Sequence, residues 1–169
     1  LVKNNKQNIL QVKITDDAWK DGRIVDFIPD HGKIMHLYLI NENHQQLCHL
    51  HPKRNSKDNS LFEVVIPPVE YGKYYIYIDV TLESGSNQTL RNIIEYYPDN
   101  ILNQKEQYFL ELDQDDSFIK ENSSYYFKWL NNSKNYYVNH EINLNFQMLD
   151  RLNNPVMLEP YIQMGGHGA

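Results

Sequence analysis

The chain has 169 residues, enough for one large domain or two small ones, and a formal charge of −6. Its Lys and Arg residues are scattered, so no basic stripe points to nucleic acid, and no apolar run is long enough to span a bilayer. The mean hydropathy of −0.65 is low. Thirteen Tyr and six Phe, with many Ile, Val and Leu, still supply enough β-prone apolar surface for a packed core. One cysteine, Cys48, excludes an internal disulfide.

Period-two alternation runs through the chain. Leu10, Val12 and Ile14 begin it. Leu37 and Leu39 follow, then Tyr74, Ile76, Ile78 and Val80. Segments 109–112, 125–130 and 142–146 read as further strands. Turn clusters at 20–22, 41–43, 57–60 and 83–87 break them at intervals suited to a sandwich. Pro67-Pro68 and Tyr71-Gly72-Lys73-Tyr74 predict a sharp corner into the most β-prone strand. The expected fold is all-β, an immunoglobulin-like β-sandwich.

A two-copy repeat is also expected. Leu10, Val12, Ile14, Ile24, Pro29 and His36 find counterparts in Ile142, Leu144, Phe146, Val156, Pro160 and His167. The division then falls at 98/99, with an immunoglobulin-like unit over 1–98 and a second over 99–169. The second is expected to lack its final strands, because the chain stops just after His167. Two similar strand-turn-strand pieces arising by chance is the competing explanation.

Five of seven histidines lie between positions 31 and 51. Closing a hairpin by pairing Ile40 with Gln45 sets His36 opposite His49. One face then carries Met35, Leu37, Leu39, Cys48 and Leu50, and reads as core. The other carries His36, Tyr38, His49 and His51, and reads as solvated. Three imidazoles on one hairpin face are within reach of one ion, because opposed Cβ atoms lie roughly 4.5–5.5 Å apart. The plainer reading is a set of solvent-facing histidines, with His51-Pro52 ending a strand. Met35 and Cys48 read as core fillers, and His31 and His44 as loop residues. Met164 and His167 flank glycines in the tail. They offer further copper ligands, or the glycines serve a bulge. Asp113, Asp115 and Asp116 form an acidic cluster that reads as a solvated turn rather than a calcium loop.

No nucleophile elbow, phosphate-binding glycine loop or zinc-protease helix motif is present, and the expectation is that the chain is not an enzyme. Cys48 and His49 are adjacent on a strand, point to opposite faces and cannot share a proton.

Lys33-Ile34-Met35-His36-Leu37, Leu47-Cys48-His49-Leu50-His51-Pro52, Tyr71-Gly72-Lys73-Tyr74 and the closing run from Glu159 to His167 resemble a family of secreted or periplasmic bacterial proteins. These carry tandem immunoglobulin-like repeats and are loosely similar to YtkA-like domains. The resemblance implies export, with lipid anchoring through a segment outside this chain as one route, and metal handling. The function expected is a cell-envelope protein binding copper, with zinc as the alternative, through His36, His49, His51 and His167. The competing function is a structural or adhesive module with no metal role. The expected partner is a metal ion, with neither nucleic acid nor a membrane span involved.

Overall fold

The computed structural model describes residues 2–4, 7–23, 26–97, 102–103, 113, 116–120, 124–131 and 135–159. Backbone contacts group the chain into two compact units, Leu1–Lys120 and Glu121–Gly168. The 98/99 division lies outside the described residues, as do Pro160 and His167, on which the repeat rested. So does the strand expected at 109–112.

The first unit holds two sheets. One has β1 (Val2–Asn4), β2 (Gln7–Lys13), β6 (Lys53–Arg54), β7 (Leu61–Ile66) and β10 (Leu102–Asn103), ordered β10-β1-β2-β7-β6. The other has β3 (Phe27–Ile28), β4 (His36–Asn41), β5 (Gln46–Leu50), β8 (Gly72–Leu82), β9 (Asn87–Tyr96) and β11 (Ser117–Lys120). Here the order is β11-β5-β4-β8-β3, with β9 also on β8. Thr81 pairs with both Ile28 and Asn87, so β3 continues the β4 side of β8 and β9 takes the opposite side. All pairings are antiparallel except β1 with β10. A single short helix, α1 (Asp17–Lys20), is present among the described residues, and no helix there is long and apolar enough to cross a membrane.

The alternation builds the core as expected. Leu10, Phe62, Val64 and Ile66 of one sheet meet Met35, Leu37, Leu39, Cys48, Leu50, Ile76, Ile78 and Val80 of the other. Each strand gives every second side chain to this layer, which makes a β-sandwich. Tyr74 closes one end. Its hydroxyl donates to Gln46 Oε1 at 3.0 Å or to Glu70 O at 2.7 Å, forming the corner expected from Tyr71 to Tyr74. The β8–β9 hairpin turns at Gly85, whose φ of +80° suits glycine.

In the second unit, β12 (Tyr125–Trp129) pairs with β13 (Phe146–Asp150). The strand expected from Ile142 begins only at Phe146. The backbone before it is engaged differently, with Leu130 N donating to Asn145 O and Asn145 N to the Asn131 side chain.

Candidate metal centre

β4 and β5 carry the site. Their register pairs Ile40 with Leu47, Leu39 with Cys48, Tyr38 with His49 and Leu37 with Leu50. This corrects the expected pairing of Ile40 with Gln45 by two residues. The turn explains the shift. Asn41 Oδ1 accepts from the backbone of Gln45 and Gln46 at 2.8 Å each, and His44 takes a φ of +58°. The loop therefore holds two more residues before pairing resumes. A shift of two keeps every side chain on its face, because the strand period is two. Met35, Leu37, Leu39, Cys48 and Leu50 accordingly all lie in the core. Cys48 is inert there: burial, helped by the charge of Asp116, pushes its thiol up to about 12.

The opposite face is not solvated. His36, His49 and His51 are 3%, 5% and 2% exposed, and Tyr38 is equally buried. Two turns hold the outer imidazoles. Asp30 and Lys33 exchange backbone hydrogen bonds across His31-Gly32, both in the left-handed region at φ +47° and +79°. That tight turn, for which Gly32 is suited, aims the Asp30 carbonyl at His36 Nε2, 3.0 Å away. On the other side, Asp116 precedes β11, where Ser117 pairs with His49. Asp116 Oδ1 lies 2.7 Å from the His51 backbone nitrogen and 3.0 Å from His51 Nδ1. Pro52 has no N–H to continue a ladder, and the Asp116 carboxylate takes the last donor of this edge.

The rings converge. His36 Nδ1 lies 3.1 Å from His49 Nε2, and one nitrogen from each of His36, His49 and His51 falls within 4.8 Å of the other two. Tyr38 stacks on His49 at 4.5 Å between centroids, with planes 9° apart. A carbonyl only accepts, so His36 carries its proton on Nε2 and points the Nδ1 lone pair at His49. His51 Nε2 is buried without a hydrogen-bond partner among the described residues. Two nitrogens bound tetrahedrally to one zinc at about 2.0–2.1 Å stand about 3.3 Å apart, close to the spacing found here. A cleft of about 180 Å³ is lined by Asp30, His36, Asp79, Thr89 and others.

Three of the four expected ligands are thus together, though His36 and His49 are diagonal rather than opposed. His167 lies outside the described residues. Met35 and Cys48 are on the far side of the sheet and add no soft donor. His31 and His44 are turn residues, and exposed His140 sits 3.2 Å from Val138 O. Asp116 is a site residue that the sequence pattern does not reveal. The acidic cluster expected to be a solvated turn is instead largely covered: the side chains of Asp113 and Asp116 are only 13% and 9% exposed. Lys33 pairs with Asp113, and Lys53 Nζ stands 3.9 Å from it. No short-range signal marks Asp116, which reaches His51 across 65 positions.

Fold and site together define a β-sandwich domain with a buried three-histidine cluster on one hairpin. The chain belongs to the family described as a domain of unknown function (DUF8832), whose model matches residues 2–95. The looser likeness to YtkA-like domains stays a resemblance. No curated protein matches the sequence. Among solved structures, CopC from Methylosinus trichosporium OB3b is similar at a TM-score of 0.37 and 7% identity, covering 63% of this chain and 89% of that one. A likeness so distant adds nothing to the reading of the site.

Proposed function

We propose that the protein is a non-catalytic module of the cell envelope that binds a transition-metal ion through His36, His49 and His51. The observation that carries this reading is His51 Nε2, buried and unpartnered beside the 3.1 Å pair of His36 and His49 nitrogens. Leaving such an atom unsatisfied costs about 1–3 kcal/mol, and an ion at the centre of the triad removes that cost. Neutral imidazole nitrogens suit zinc and copper alike. Met35 and Cys48 lie on the core side and Met164 lies outside the described residues, so no described soft donor favours copper, and both metals remain within the proposal. The exported setting belongs to the same reading and rests on the resemblance.

The test is elemental analysis of the purified protein, then titration with zinc and with copper. The parent is expected to bind one ion per chain, and His49→Ala/His51→Ala to bind none. Equal binding by both proteins sinks the triad as the site. No binding by the parent leaves a structural module, in which the His36–His49 hydrogen bond and the Tyr38 stack simply fill the space under the hairpin.

A further inference from the structure

We infer that Asp116 is the positioning residue of this centre, holding His51 in the one tautomer that can ligate and favouring a divalent over a monovalent ion. The inference rests on the three-histidine reading and adds a residue from outside the stretch matched by the family model, which ends at 95.

His51 Nδ1 lies 3.0 Å from Asp116 Oδ1, and the same oxygen is 2.7 Å from the His51 backbone nitrogen. An ionised carboxylate only accepts. The imidazole proton is therefore on Nδ1, and the Nε2 lone pair is free. This is the atom that has no partner. Free histidine in water favours the other tautomer, with the proton on Nε2, which would block the lone pair. The carboxylate reverses that preference before any ion arrives. Asp30 O does the equivalent at His36, fixing the proton on Nε2 and turning the Nδ1 lone pair toward His49 Nε2, 3.1 Å away. The two outer rings are set from opposite sides, one by a neutral carbonyl and one by an anion. A ligating histidine held by a carboxylate is a more basic donor, and loss of such a partner weakens metal binding about 10- to 100-fold.

The charge matters separately from the geometry. Asp113 has Lys33 and Lys53 beside it, whereas Asp116, with its side chain 9% exposed, has only His51 as an ion-pair partner among the described residues. Three neutral imidazoles leave a bound ion's charge uncompensated. A buried carboxylate one bond further out offsets part of it, more for a doubly than for a singly charged ion.

Two measurements on the full chain test this. Long-range proton–nitrogen correlation spectra of the metal-free parent, at a pH where the imidazoles are neutral, are expected to show His51 with its proton on Nδ1. A proton on Nε2 overturns the assignment, whatever the metal does. Zinc and Cu(I) affinities are then compared for the parent, Asp116→Asn and Asp116→Ala. Asn keeps the shape and an accepting oxygen, guarding against a variant that fails to fold. It is expected to lower zinc affinity about 10-fold or more and Cu(I) affinity less. Unchanged zinc affinity, or an equal loss for both ions, refutes the role given to the charge. Absence of both zinc and Cu(I) binding by the parent refutes the triad itself, and the tautomer spectrum still decides the orientation of His51.

Discussion

Consider His51→Ala, read by thermal unfolding of the first unit with and without zinc. In the metal-free parent the His51 ring is 2% exposed and Nε2 is unsatisfied. Truncation removes that penalty of about 1–3 kcal/mol but opens a cavity under the hairpin, which costs about 2–5 kcal/mol for a side chain of this bulk. It also strips Asp116 Oδ1 of one donor, leaving the backbone N–H at 2.7 Å. The net expectation is a loss of roughly 1–3 kcal/mol without metal. Zinc separates the two proteins further. At a free concentration 100 times Kd, binding stabilises the parent by about 2.7 kcal/mol. At roughly 4 °C per kcal/mol for a unit of this size, Tm rises by about 10 °C. The variant should show almost none of that rise. Differential scanning fluorimetry, first in chelator and then across a zinc titration, measures both effects. An equal zinc shift in parent and variant, or a metal-free variant more stable than the parent, refutes the reasoning.

Three other predictions concern the frame around the site. Tyr74→Phe removes the buried hydroxyl that serves Gln46 Oε1 and Glu70 O, and urea unfolding should show a loss of about 1–3 kcal/mol. Cys48, with its thiol raised to about 12, should resist alkylation at pH 8 in the folded protein and react once denaturant is added, as mass spectrometry will report. The Arg54 guanidinium, bonded to Asp26, holds that carboxyl below its ordinary value. Its stabilising contribution is therefore present above the unfolded carboxylate pKa and lost as pH falls through the lower folded one. Asp26→Asn should flatten the acid limb of the stability–pH curve below about pH 4, and an unchanged limb would count against the pairing.

Much of this was legible in the sequence, and the reasons are local. Period-two alternation decides which side chains of β4, β5 and β8 enter the core, and carried one residue back from β4 it puts Met35 there alongside Cys48. The same parity put His36, His49 and His51 on one face even though the pairing was off by two. What escaped was the capping of the turn by Asn41, which sets the register. The burial of the histidine face escaped as well. Its supports are a tight turn at His31-Gly32 and a carboxylate at Asp116, one too compact and the other too distant in sequence to show in a strand pattern. A run of aspartates reads as solvated until a lysine and an imidazole are seen against it.

β4 lies between β5 and β8, and its side chains from His36 to Leu39 are buried on both faces. Backbone amides on such a strand exchange with solvent only when much of the domain opens. Of the three proposed ligands His36 is mounted there, with His49 on the neighbouring β5, so an ion taken up by the proposed centre would meet side chains already in place and would leave little freedom to lose on capture. Escape meets the same rigidity. Departure of a bound ion from nitrogens held this way would follow the opening of the sheet edge rather than the intrinsic lability of the metal–imidazole bond. If the proposed centre binds an ion, the hairpin that makes the cluster also sets its clock, suiting it to slow exchange rather than to quick transfer.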